Sequence, residues 1–231
     1  MLQTTEKNIL IKLSGEAFGG EGTPFDADRI RAYAASIRDG LSGRKRIFAV
    51  CGGGNVCRGR SFGGAVRADY AGMLASVQNG LFLHTALEEM GVSCQMVIPD
   101  HFEIPYGCHE ADLKEETRVV LYCGGVGYPG HSTDYVCAVK SAFHHCDIYF
   151  AKMGVDGIYD RDPHKDPEHA VFLPELTFSS IAAEKLGVMD FEAADLLKDT
   201  DCRGYVFELT ADNLRRMLTG DADSVHKTVI L

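Results

Sequence analysis

Apolar residues arrive along this chain in two rhythms. Short, nearly unbroken apolar runs at 8–13, 46–50, 93–98, 118–122 and 147–153 read as strands buried on both faces. Between them lie longer stretches with a 3.6-residue rhythm. In 26–41, Ile30, Tyr33, Ala34 and Ile37 share one stripe; in 65–90, Tyr70, Met73, Leu74, Val77, Leu81 and His84 do. Asp26 or Asp28 can cap the first of these helices, and Gly91 stops the second. A third helix is predicted over 132–146 with Ser132 or Thr133 as its cap, followed later by a strand at 204–209, a helix at 211–219 and a closing strand at 228–231. Strands that alternate with helices predict an α/β fold, a three-layer α/β/α sandwich with a mainly parallel central sheet. No internal repeat, low-complexity tract or linker interrupts the pattern, so one domain spanning 1–231 is expected.

Three strands run directly into glycine. Ser14-Gly15 follows the first, Gly52-Gly53-Gly54 the second, and Gly124 to Gly130 the fourth. In open parallel sheets ligands bind beyond the carboxyl ends of the strands. Glycine turns there let backbone N–H groups approach anionic oxygens, and the helix N-termini that follow add partial positive charge. Three such turns at one sheet edge point to a ligand carrying several phosphates.

Composition narrows the classes. The 231 residues carry 45% hydrophobic and 24% charged side chains, enough for a substantial core and unlike a disordered chain. Lys and Arg total 23 against 33 Asp and Glu, a net charge of −10, which disfavours general nucleic-acid binding but leaves local anion binding open. No apolar run is long enough for a membrane span, and residues 1–7 lack the apolar stretch of a signal peptide, so a cytoplasmic location is expected. The eight cysteines form no Cys-x-x-Cys pair, and several sit inside apolar patterns as small buried hydrophobes. The histidines of His144-His145-Cys146 and Cys108-His109 read as polar surface residues rather than metal ligands. The Walker pattern, the protein-kinase motif set and a G-x-G-x-x-G after the first strand are all missing.

Five motifs then occur in order. They are Lys12-Leu13-Ser14-Gly15-Glu16; Gly52-Gly53-Gly54-Asn55 with Arg58-Gly59; Asp69-Tyr70-Ala71-Gly72-Met73-Leu74-Ala75 with Asn79-Gly80-Leu81; Val155-Asp156-Gly157-Ile158-Tyr159 with Asp162-Pro163 and Lys165-Asp166-Pro167; and Val188-Met189-Asp190. Together they resemble the bacterial-type UMP kinases (uridylate kinases) of the amino-acid-kinase family, over nearly the whole chain. The resemblance implies the amino-acid-kinase fold and transfer of the γ-phosphoryl group of ATP to UMP, giving ADP and UDP. It implies ATP contacts by Lys12, Leu13, Ser14, Gly15, Gly54, Arg58, Met153, Tyr159 and Asp162, the last two near adenine and ribose. It implies UMP contacts by Gly53, Asp69, Val126, Gly127, Tyr128, Pro129, Gly130, His131, Ser132 and Thr133, with Asp69 on the ribose hydroxyls. Lys12 and Asp134 become the catalytic pair, the lysine stabilising the phosphoryl group in flight and the aspartate orienting the lysine. Mg²⁺ enters with ATP, held through phosphate oxygens and water and with no protein ligand. A homohexamer, with GTP as activator and UTP as inhibitor, is the further implication.

Two segments depart from the family pattern. The acceptor loop, G-T-G-N-P-[FY]-F-T-T-D in typical members, here reads Gly125-Val126-Gly127-Tyr128-Pro129-Gly130-His131-Ser132-Thr133-Asp134. The usual K-A-T-K before the V-D-G motif is replaced by Ala151-Lys152-Met153-Gly154; Lys152 either substitutes for the family lysine with a one-residue shift or is a plain strand-end charge. The altered loop keeps two alternatives in view: a kinase of this fold with a different acceptor, or a non-catalytic nucleotide- or oxoanion-binding homologue. Each singled-out residue also has a structural reading. Lys12 could be a solvated strand end, Arg58 a surface arginine, Asp69 a helix-surface charge, Asp134 a first-turn helix carboxylate, and Tyr159 or Asp162 a turn residue.

Overall fold

The computed structural model describes residues 7–57, 63, 65–184 and 189–231. In chain order the elements are β1 (Ile9–Leu13), α1 (Ala27–Asp39), β2 (Ile47–Cys51), α2 (Val66–Glu89), β3 (Cys94–Val97), β4 (Gly107–Cys108), β5 (Val119–Tyr122), α3 (Thr133–His144) and β6 (Asp147–Lys152). There follow β7 (Ile158–Tyr159), β8 (Phe172–Leu173), β9 (Glu175–Leu176), α4 (Phe178–Glu184), α5 (Phe191–Leu197), β10 (Gly204–Glu208), α6 (Ala211–Thr219) and β11 (Lys227–Ile230). The main sheet has the order β4-β3-β5-β2-β1-β6-β10-β11-β9. It is parallel from β4 through β10; β11 then runs antiparallel to β10, and β9 pairs parallel to β11. A separate two-stranded hairpin joins β7 to β8.

The pleat of β1 shows why the layers form. Ile9, Ile11 and Leu13 enter one core with Ile30, Tyr33, Ala34 and Ile37 of α1, Leu83 and Leu87 of α2, and Leu214 and Leu218 of α6. Leu10 turns to the opposite core with Val136 and Cys137 of α3, Phe178 of α4 and Ala194 of α5. Helices therefore cover both faces, and the α/β/α arrangement with a mainly parallel sheet is what the two rhythms predicted. Each fully buried Ile or Leu contributes about 1.5–3 kcal/mol relative to exposure. Lys12 is the exception in its strand. It follows Leu10 on the α3 face, at the point where β1 leaves the sheet.

The boundaries of the long elements fall within two residues of the expected ones. Asp26 is the N-cap of α1, accepting from Arg29 N at 3.0 Å. Ser132 is that of α3, accepting from Tyr135 N at 3.2 Å. The short elements β4, β7, β8, β9, α4 and α5 were not anticipated; at two to seven residues each they carry too few positions for a periodic signal. Thr228, buried in β11, supplies the tertiary tie that fixes two of them: its Oγ1 accepts from Ile158 N at 2.9 Å and donates to Leu173 O at 2.6 Å.

All eight cysteines are unpaired and five are buried, in line with the reading as small hydrophobes. The histidine pair needs correction. His145 is exposed and closes α3 in a left-handed conformation (φ 52°), but His144 is enclosed rather than on the surface. Its ring stacks on Phe48 at 4.2 Å, and its Nε2 lies 2.5 Å from Tyr122 Oη and 3.0 Å from Glu110 Oε1. The 3-10 turn Glu110–Asp112, absent from the expected elements, brings that carboxylate in. No helix of the described residues is long and apolar enough to cross a membrane.

Candidate active site

The carboxyl ends of β1 and β2 meet backbone to backbone. Gly52 N donates to Leu13 O at 2.8 Å, and a Cβ on Gly15 would stand 2.1 Å from Gly54 N. Nothing but glycine fits there. Gly53 is pressed equally hard against α2, where an added Cβ would lie 2.2 Å from Gly72 O. Two polar side chains of α2 fasten these turns from behind. Asn79, fully buried, donates to Gly52 O at 2.7 Å and exchanges amide bonds with Asn55. Ser76 donates to Cys51 O at 2.6 Å and accepts from Gly124 N at 3.0 Å, so one hydroxyl links the second glycine turn to the third. Asn79 was legible only as part of a motif. Ser76 gives no such signal, because a serine among apolar helix residues shows nothing of what it bonds.

Around this junction opens a cleft of about 720 Å³. Lys12, Ser14, Gly15 and Glu16 line it from the β1 turn, Gly52 to Gly54 from the β2 turn, Asp69 and Met73 from α2, and Gly125 and His131 to Asp134 from the loop entering α3. At its floor Lys12 Nζ lies 2.5 Å from Asp134 Oδ1, with both side chains only about one-seventh exposed. Asp134 sits in the first turn of α3, where the helix dipole favours a carboxylate. Cys137, one turn further on, is fully enclosed, and burial pushes its thiol well above its ordinary range. Lys152 lies close by at the end of β6. Burial and the neighbouring Lys12 charge lower it to about 8, while Asp134 pulls the other way.

The loop between β5 and α3 is held by carboxylates. Asp69 Oδ2 accepts from Gly130 N at 3.0 Å. Ser132 Oγ donates to Asp190 Oδ2 at 2.7 Å, and Asp190 in turn caps α5. His131 stacks on Tyr135 at 4.6 Å and faces Glu192 at 3.6 Å. Asp190 belonged to a motif with no role attached; its bond to Ser132 supplies one.

Of the residues expected to contact nucleotides, Lys12, Ser14, Gly15, Gly53, Gly54, Asp69, His131, Ser132, Thr133 and Asp134 share this cleft. Leu13 turns its side chain into the opposite core and can offer only backbone. Val126 packs on the α3-side core, and Gly127 is buried against Pro99 and His101. Tyr128 is exposed, its ring 6.2 Å from His101, while Pro129 is half-buried and Gly130 exposed. Met153 accepts from Tyr33 Oη at 3.8 Å beneath α1. Tyr159 donates to Asp156 at 3.0 Å and packs edge-on against Phe172. Asp162 is exposed, accepts from His164 N at 3.0 Å and pairs with Lys165 at 3.3 Å; that backbone N–H foremost lowers its carboxyl. None of these last residues lines the cleft floor. Arg58 lies outside the described residues, as does Val188.

The amino acid kinase family model matches residues 7–208. Among solved structures, UMP kinase from Ureaplasma parvum superposes with a TM-score of 0.84 at 26% identity, covering 97% of this chain and 98% of that one. UMP kinase from Bacillus anthracis gives 0.83 at 28% identity, covering 97% and 95%. An isopentenyl phosphate kinase in complex with substrate gives 0.65 at 18% identity, covering 96% and 100%, a likeness of fold alone.

Proposed function

Since the chain belongs to the amino acid kinase family, we propose that it is a phosphotransferase that moves the γ-phosphoryl group of ATP to UMP, yielding ADP and UDP. The observation that carries this reading is the Lys12–Asp134 pair on the floor of a cleft where three glycine turns and the α3 N-terminus meet. The likeness to two UMP kinases over nearly the full length of each supports the choice of acceptor.

Phosphoryl transfer needs alignment and charge neutralisation more than covalent chemistry. Lys12 stands where its ammonium can meet the equatorial oxygens of the moving group, and Asp134 holds it there at 2.5 Å. The N–H groups of Gly53 and Gly54 and those opening α3 are fixed donors for phosphate oxygens. Asp69 offers a carboxylate to the acceptor ribose, from a position where it already braces the loop through Gly130. Mg²⁺ brought in by ATP would neutralise the β- and γ-phosphates. That ion would be carried by phosphate oxygens and water.

A second reading rests on the loop. Val126, Tyr128, Gly130 and His131 stand where typical members carry threonine, asparagine and two aromatics, so the same transfer could be aimed at another phosphate-bearing acceptor. A coupled ADP-release assay with UMP, CMP and AMP separates the two. The expected result is preference for UMP, and a loss of about 10²–10³-fold in turnover for Lys12→Ala. A variant that keeps full turnover would remove Lys12 from the mechanism, and a better acceptor than UMP would favour the second reading.

A further inference from the structure

The cleft is rich in carboxylates and poor in cations. Glu16, Asp69 and Asp134 line it, and among the described lining residues only Lys12 and His131 can carry positive charge. The mechanism above places Lys12 on the moving phosphoryl group and gives His131 no task.

The ring of His131 is held from two elements. From α5, Glu192 Oε2 lies 3.6 Å from its Nδ1. From α3, Tyr135 stacks on it, with centroids 4.6 Å apart and planes 21° from parallel. The next residue, Ser132, is tied to the same stretch before α5 through Asp190. The Glu192 side chain is 58% exposed, and an ion pair in such a setting adds little to stability. What the two contacts achieve is orientation. They occupy Nδ1 and one face of the ring, and among the described residues no hydrogen bond engages Nε2. The aromatic that typical family members carry at this position can stack in the same way, but it has no nitrogen to offer.

We propose that His131 reads the phosphate of the acceptor rather than its base: Nε2–H donates to a phosphate oxygen, with the ring charged and Glu192 as its counter-charge. The inference rests on the cleft being the site of phosphoryl transfer. In that transfer an acceptor phosphate oxygen is the nucleophile, so it must come up to Lys12. Lys12 is held by Asp134, three residues beyond His131 in the same segment. His131 also directly precedes the Ser132 cap, beside the N–H groups that open α3, where an anion is favoured. A charged donor backed by a carboxylate gains most from an anionic partner and little from a neutral base. The acceptor class that follows is a phosphomonoester dianion. Because every nucleoside monophosphate carries that group, the contribution of His131 should be the same for each of them.

The test is calorimetric binding of UMP and CMP to the wild type, His131→Phe and His131→Gln, together with the imidazole resonances of ¹⁵N-histidine-labelled protein. His131→Phe keeps a ring against Tyr135 without a donor, and His131→Gln keeps a donor without the charge. Both should weaken UMP and CMP by about 10-fold or more, and by the same factor for the two nucleotides. Glu192→Gln should weaken both by a smaller common factor. The resonances that vanish in His131→Gln should move to the doubly protonated pattern when UMP is added to the wild type, and should not do so with uridine at the same concentration. Unchanged affinity in His131→Phe, a loss confined to one nucleotide, or the same resonance shift with uridine overturns the proposal. None of these readouts needs transfer. A wild type that moves no phosphoryl group to UMP would sink the functional reading, while the pattern of binding losses still decides the role of His131.

Discussion

On the β1–β2 side of the cleft the turns touch backbone to backbone, with Gly15 against Gly54 and Gly53 against Gly72. On the α3 side the loop hangs on side chains, through Asp69 to Gly130 and Asp190 to Ser132. The first arrangement has no adjustable part. The second consists of a few polar bonds to half-exposed groups, any of which a ligand or a substitution can replace. On the proposed reading, the part of the site that acts on every phosphate is thus set by packing, and the part that meets a particular acceptor is set mainly by hydrogen bonds. The departures from the family pattern at Tyr128, Gly130 and His131 fall on the second side, whereas Val126 packs on the α3-side core.

The comparison can be broken most directly with Gly53→Ala. The new methyl group would lie 2.2 Å from Gly72 O and 2.9 Å from the Ala75 Cβ, so either the turn or α2 must shift. Overpacking of this kind costs about 1–3 kcal/mol, and the donors on Gly53 and Gly54 move with the turn. Thermal unfolding should show a lowered Tm, and turnover should fall by about 10²-fold. Retention of wild-type turnover would mean that the backbone contacts do not position the chemistry.

Ser76→Ala comes next, because one hydroxyl spans both sides. It removes the bonds to Cys51 O and from Gly124 N and leaves two buried backbone groups without that partner. The expected loss is about 1–3 kcal/mol of stability, read by urea unfolding, with KM raised for both nucleotides. A change confined to one substrate would show that the two turns are not coupled through this residue.

Asp190→Ala should act on the acceptor side only. A hydrogen bond to a charged group contributes about 1.5–3 kcal/mol, so losing the tie to Ser132 should raise the acceptor KM about 10-fold while the KM for ATP stays near its original value. Equal increases in both would place Asp190 with the packed turns instead.

How far these features could be read in advance follows the same division. The core strands and long helices, with Asp26 and Ser132 as caps, announce themselves because burial on one face or two imposes a period on many residues at once. The glycine turns are legible for a related reason: close backbone approach admits one residue type. Ser76 and Asp190 are not legible as parts of the site, because Ser76 lies in an apolar helix pattern and Asp190 is far away in sequence. Lys152 is legible only as an alternative, family lysine or strand-end charge, and the register of β6 on β1 places it on the face of the sheet that carries Lys12. The enclosure of His144 is invisible in the sequence, because Glu110 reaches it from a turn too short to leave a pattern.

That histidine cluster supplies the mildest test, because it braces the end of α3 opposite Asp134. Burial would push the Glu110 carboxyl up, but hydrogen bonds with His144, Lys140 and Tyr122 outweigh it and hold the group at about 2, below its ordinary 4.5. The folded-state value is depressed, so the stabilisation is fully present above 4.5 and disappears as pH falls towards 2. Glu110→Gln should therefore cost about 1–2 kcal/mol at neutral pH, the contribution of a partly shielded charged bond. The unfolding midpoints of variant and wild type should converge below pH 4.5. At neutral pH the acceptor KM should not change, because the loop is held by Asp69 and Asp190 rather than by the far end of α3. A raised acceptor KM in Glu110→Gln would mean that α3 transmits strain along its whole length. The acceptor loop would then belong with the packed half of the site.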